Sequence, residues 1–77
     1  MEEKAICVLD LKSGEKGEIC EIYKKSVEEG IGLHKGQVIE VIENPGQGPI
    51  ILKTEDGSKI TLGRGQASSV FVKKIEK

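Results

Sequence analysis

Over much of this chain apolar and charged residues alternate at the two-residue spacing of a half-buried strand. Across residues 37–43, Ile39 and Val41 fall on one face and Val38, Glu40 and Ile42 on the other. Lys59-Ile60-Thr61-Leu62 repeats the pattern with Ile60 and Leu62 together, while Ile50-Ile51-Leu52-Lys53-Thr54 and Val70-Phe71-Val72 are short β-branched runs that also read as strands. Ile6-Cys7-Val8-Leu9, continued by the alternation Leu9-Asp10-Leu11, predicts a strand near the start. Glu18-Ile19-Cys20-Glu21-Ile22-Tyr23 is extended too, but Ile19 and Ile22 differ in parity. Both can face inward only if a bulge lies between them.

The punctuation is equally regular. Lys12-Ser13-Gly14-Glu15-Lys16-Gly17 predicts a tight turn, and Asn44-Pro45-Gly46-Gln47-Gly48-Pro49 a loop, because proline lacks the ladder donor. Asp56-Gly57 between alternating runs predicts a hairpin with a type I′ turn. Residues 65–69 form a compact turn or one turn of 3₁₀ helix. Helical grammar is confined to residues 24–30, where Ser26 and Glu29 match a capping box and Tyr23, Val27 and Ile31 recur every four residues. The resulting order is strand, long irregular excursion, strand, loop, strand, hairpin, strand, short turn, strand. It predicts an all-β, SH3-like barrel of about five strands with one short helix and a 3₁₀ turn, as a single domain over residues 1–77.

Composition narrows the interior and the partners. Only Tyr23 and Phe71 are aromatic among 77 residues, so Ile, Val and Leu must fill the core. Twelve Lys and Arg against thirteen Asp and Glu leave a net charge of -1, scattered rather than blocked, which argues against a phosphate-neutralising face and so against nucleic acid as a partner. The start Met1-Glu2-Glu3-Lys4 has no apolar run behind it long enough for a signal peptide, nothing is long enough to span a bilayer, and Cys7 and Cys20 read as two free thiols. The expected compartment is the cytosol.

Candidate chemistry is sparse. Gly63-Arg64-Gly65-Gln66-Ala67-Ser68 superficially suggests a dinucleotide fingerprint, but too little chain follows for the helix and parallel strand that the motif needs. His34 is the sole histidine. With Cys7, Cys20 and an acid such as Glu18 or Glu21 it would make a ligand set, yet neither cysteine has a close-spaced cysteine or histidine partner to organise a metal site. Glu15, Glu18, Glu21, Glu28 and Glu29 read as solvated surface rather than an acid-base pair, since a barrel this small offers little room to desolvate one of them. No catalytic residue, cofactor or metal is expected. Arg64, the only arginine, sits between two glycines and is a surface guanidinium able to meet a carboxylate.

Taken together, the glycine-anchored stretches resemble the FeoA domain family, whose fold also forms a module of some iron-dependent repressors. Leu11-Lys12-Ser13-Gly14-Glu15-Lys16-Gly17-Glu18-Ile19 is similar to the family's opening L-x-x-G-x-x-G-x-I. Gly32-Leu33-His34-Lys35-Gly36 with Ile39 and Val41 resembles its central G-[IL]-x-x-G-x-x-I-x-V, and Leu62 to Val72 its closing strands, with Ala67 and Val70 in the expected places. The segment between Ile22 and Gly32 is shorter than is usual in the family and lacks its arginine. The resemblance implies a small cytosolic accessory protein, not an enzyme, that works with FeoB, a membrane ferrous iron transporter with a cytosolic GTPase domain. Contact with the membrane would be only indirect, through that transporter. Docking needs an exposed apolar point with a polar rim, for which Leu33 beside His34 and Lys35, with Arg64 elsewhere, are the candidates. Residues 35–48 are also similar to the KOW element of ribosomal and transcription-associated barrels, which would imply an RNA-binding module. The charge balance and the shortage of stacking aromatics weigh against it.

Overall fold

The computed structural model describes residues 4–75; the charged start Met1, Glu2 and Glu3 lies outside them. Six antiparallel strands are described where about five were expected: β1 (Ala5–Cys7), β2 (Lys16–Ile22), β3 (Val38–Glu43), β4 (Ile50–Thr54), β5 (Lys59–Leu62) and β6 (Val70–Ile75). They are ordered β1-β6-β2-β3-β4-β5. The additional strand is β2, whose residues 18–23 read as extended in the sequence but fall within the expected irregular excursion because their alternation is broken. The break is the predicted bulge: Ile19 faces Val72 and Glu21 faces Phe71, leaving Cys20 as the extra residue. Ile19 is thereby buried, and Ile22 packs against the same core.

The first strand is shorter than its apolar run. After Cys7 the chain enters a 3₁₀ turn, Val8–Asp10, closed by the Leu11 N–H donating to the Val8 carbonyl at 3.1 Å. Val8 and Leu11, three apart, both enter the core by this route, at 0% and 1% exposure, which a continued strand would not allow. This turn and the short helix α2 (Arg64–Ala67) lie against each other between β1 and β5, the two ends of the ladder. The Cys7 thiol donates to the Ala67 carbonyl at 3.5 Å. The barrel is thus shut by a seam of turns rather than by a sixth ladder.

Every fully buried apolar side chain is Ala, Val, Ile or Leu, as the composition requires. Helix α1 (Lys25–Ile31) adds Val27 to them. Ser26 does not cap this helix: it begins two residues early, Lys24 takes the N-cap position without a side-chain bond, and Ser26 lies within the first turn. Tyr23 falls outside the helix altogether. The hairpin differs as well. Among the described residues none other than glycine has positive φ, so Asp56 does not occupy a type I′ turn. Instead Gly57 (φ 92°) follows a type I turn in a three-residue loop, closed by the Thr54 N–H donating to the Ser58 carbonyl at 2.9 Å. The reason is register: this loop sets Leu52 opposite Ile60 and Ile50 opposite Leu62, whereas a two-residue turn on Asp56-Gly57 would slip the pairing by one and turn an apolar set outward.

Gly17 carries the tightest backbone approach in the opening motif. A Cβ there would sit 2.9 Å from Val72 Cγ2, 3.0 Å from Val72 Cβ and 3.3 Å from the Lys73 carbonyl oxygen. Strands β2 and β6 cross at a distance that admits only a hydrogen.

Candidate functional site

The chain's two aromatic residues meet on the outward side of the β1-β6-β2 face. Val70 and Val72 point into the barrel, so Phe71 between them points out, half-buried. Tyr23, just past the end of β2 and anchored by its N–H to the Ser69 carbonyl at 2.9 Å, stands edge-on to Phe71 with centroids 5.5 Å apart and rings at 80°. Tyr23 is 70% exposed, and no other large hydrophobic among the described residues is so open. Cys7 and Glu21 lie opposite Phe71 on its two neighbouring strands, and the bulged Cys20 donates its thiol to the Phe71 carbonyl at 3.4 Å. Glu21 is held by Lys35 at 3.3 Å. Both thiols are half-buried and free.

Of the four residues expected to contact a partner, one is excluded by burial and one is otherwise engaged. Leu33 is 0% exposed and belongs to the core, so it offers no apolar point to a partner. Gly32 ends α1 in the left-handed conformation (φ 91°), and the chain turns Leu33 back into the core, as apolar residues after such an ending commonly do. Arg64 is half-buried and spends its Nη1 on the Asn44 Oδ1 and the Gly48 carbonyl, both at 3.3 Å. Asn44 in turn donates from Nδ2 to the carbonyls of Leu9, at 2.9 Å, and Leu11, at 2.7 Å. The guanidinium therefore clamps the 44–48 loop onto the seam. His34 and Lys35 are exposed, with His34 Nδ1 3.2 Å from the Lys35 carbonyl.

The remaining chemistry is structural. Glu15 accepts the Lys12 N–H at 2.7 Å and meets Lys74 Nζ at 2.6 Å. Its carboxyl is held below the usual glutamate range, first by that backbone hydrogen bond and then by Lys74. A group so stabilised as its anion is a poor general acid. A groove of about 320 Å³ opens across β2, β3 and β4, where Lys16 faces Glu40 and Glu40 faces Lys53. Alternating sign deprives it of a uniform field for a charged ligand. Among the described residues no three of His, Cys, Asp or Glu gather closely enough to hold a metal ion, so Cys7, Cys20 and His34 are not brought together. No helix among them is long and apolar enough to cross a membrane. Gly63 to Ser68 leads into α2 and an antiparallel strand, not into a phosphate-binding βαβ unit.

Sequence reasoning missed the aromatic pair. Its signal was the scarcity of aromatics itself: a chain with two rings that places both on one outward face is not using them as core.

The comparisons with known proteins agree with this architecture. The chain matches the FeoA domain over residues 7–74. It superposes on the crystal structure of an iron uptake regulatory protein (FeoA) with a TM-score of 0.83 and 28% identity, covering 94% of this chain and 100% of that one. The NMR structure of a FeoA-like protein from Clostridium acetobutylicum matches with a TM-score of 0.78 and 20% identity, over 100% of this chain and 93% of that one. A manganese-dependent transcriptional repressor in complex with manganese shares the fold, with a TM-score of 0.85 and 18% identity, but only 38% of its chain is covered against 96% of this one. No curated protein sequence matches. With a family match that takes in nearly all of the barrel and the same fold in a FeoA protein of known structure, the chain belongs to the FeoA family.

Proposed function

We propose that this chain is a cytosolic accessory protein of ferrous iron transport, which docks on the cytosolic GTPase region of a FeoB-type membrane transporter and modulates it without catalysing a reaction of its own. The observation that carries the reading is how the chain spends the residues of its family motifs. Leu11, Ile19, Leu33, Ile39 and Val41 are core, and Gly17 is a packing contact. Arg64 and Asn44 are committed to the seam. What remains for function is the outer surface, and a surface recognises rather than transforms. The KOW-like alternative gains nothing from the geometry, because the two rings pack edge to face against each other instead of lying open for successive bases.

Calorimetry of the full chain against the transporter's cytosolic domain, loaded in turn with GTP and GDP, tests the reading. Binding in the micromolar range, about -8 kcal/mol, is expected. An absence of heat up to several hundred micromolar, in both nucleotide states, overturns it. GTP hydrolysis by the chain alone overturns the accessory role.

A further inference from the structure

Building on the docking role proposed above, we infer that the docking surface is the outward β1-β6-β2 face centred on Tyr23 and Phe71, and that its occupant is a partner segment presenting an apolar anchor flanked by carboxylates. Tyr23 supplies exposed apolar area of the kind that anchors interfaces, and the edge-on contact with Phe71 together with the Ser69 hydrogen bond fixes its approach. Little ordering entropy is left to lose there on binding. The bulge at Cys20 is the device that aims it, since bulges redirect a strand where a side chain must be presented.

Charge specifies the partner. Lys24 and Lys25 directly follow Tyr23 and are exposed, as is Lys73, two residues along β6 from Phe71. Lys35 joins this rim through its bridge to Glu21, and Glu18 stands opposite Lys73. Four lysines against two acids make the rim cationic in a chain whose net charge is -1. Glu28 and Glu29 lie about one turn beyond Lys25, on α1. A uniformly anionic surface such as a lipid headgroup layer would be repelled by Glu18 and Glu21 within the rim, whereas a polypeptide can place its carboxylates against the lysines alone. The face therefore suits a protein segment better than a membrane.

The test combines variants with amide mapping on the full chain, using the transporter's cytosolic domain as probe. Tyr23→Ala is expected to weaken binding about thirtyfold, with the fold unchanged because the ring is outside the core. Tyr23→Phe should stay within roughly threefold, since the ring and not its hydroxyl is the anchor. Lys24→Glu with Lys25→Glu should weaken binding about tenfold and flatten its salt dependence, while Lys53→Glu on β4 stays within about twofold. Backbone amide shifts should centre on residues 20–25 and 70–73. Full affinity in Tyr23→Ala, or shifts centred on the β2-β3-β4 groove, overturns this assignment while leaving docking itself intact. No binding by the unaltered chain removes both. Unchanged or tighter binding by the double charge reversal overturns the acidic partner. Sedimentation with vesicles of equal parts phosphatidylcholine and phosphatidylglycerol, abolished by Tyr23→Ala, would assign the face to lipid and overturn the inference.

Discussion

Replacing Gly17 by alanine adds one methyl group at the closest crossing of the sheet, and the structure sets the consequence. The new Cβ falls 2.9 Å from Val72 Cγ2 and 3.0 Å from Val72 Cβ, against 3.4–4 Å for ordinary contact. A change of Val72 rotamer relieves only the first clash. The second, and the Lys73 carbonyl at 3.3 Å, are fixed to the backbone of β6, so β2 and β6 must part by several tenths of an ångström. Overpacking of this kind costs about 1 to 3 kcal/mol. A core of this size supplies roughly 3 to 5 kcal/mol, so the variant loses a large share of its margin. At about 4 to 8 °C per kcal/mol, a cost near 2 kcal/mol lowers the melting temperature by roughly 8 to 16 °C, and by about 1 to 2 M in urea midpoint. Gly30→Ala is the matched control. It lies in α1 with ordinary φ and open space around its Cβ position, and should gain about 0.5 to 1 kcal/mol from helix propensity. Combining Gly17→Ala with Val72→Ala removes the 2.9 Å clash but not the 3.0 Å one, so the two changes should couple favourably by at least about 0.5 kcal/mol. If Gly17→Ala unfolds within about 0.5 kcal/mol of the unaltered protein and adds simply to Val72→Ala, the close-approach account is refuted.

Leu33→Ala should cost about 2 to 5 kcal/mol, and any loss of partner binding should follow loss of the far-ultraviolet circular dichroism signal of the fold, since the side chain is fully enclosed. Asn44→Asp keeps shape but removes both Nδ2 hydrogen bonds to the Leu9 and Leu11 carbonyls, and should cost about 1 to 3 kcal/mol in urea titrations, with Asn44→Ala similar. Asp56 is held below the usual aspartate range, first by the Thr54 hydroxyl donating to it and then by the Ser58 N–H. A depressed folded pKa contributes stability that is present above the ordinary aspartate value and lost as pH falls through the folded one. Asp56→Asn should therefore melt lower than the unaltered chain at neutral pH, with the gap narrowing under acid. A gap that is constant with pH would refute the role of the charge.

The alternation on β3 and the parity conflict between Ile19 and Ile22 were enough to place the central strands and a bulge, because a sheet with one buried face leaves no freedom in which side chains point in. The seam was harder to read. Val8 and Leu11 reach the core by a turn, at a spacing that strand reasoning treats as out of phase. Leu33 was misplaced because flanking glycines and charged neighbours resemble an exposed tip. The available signal was the Gly-Leu pair directly after a helical segment, which marks an apolar residue folding back. Ser26 and Asp56 each fit a local rule that tertiary register overrode. The aromatic face was invisible to motif reading because its members are 48 residues apart in the chain and meet only through the pairing of β2 with β6.

Because the motif aliphatics are buried in the core and Gly17 is a packing contact, substitutions on the outward rows of β1, β6 and β2 leave the frame untouched. Such a frame can be carried into other contexts and given new acquaintances by changing a handful of outer residues. The same fold covering 38% of a manganese-dependent transcriptional repressor is in keeping with that freedom.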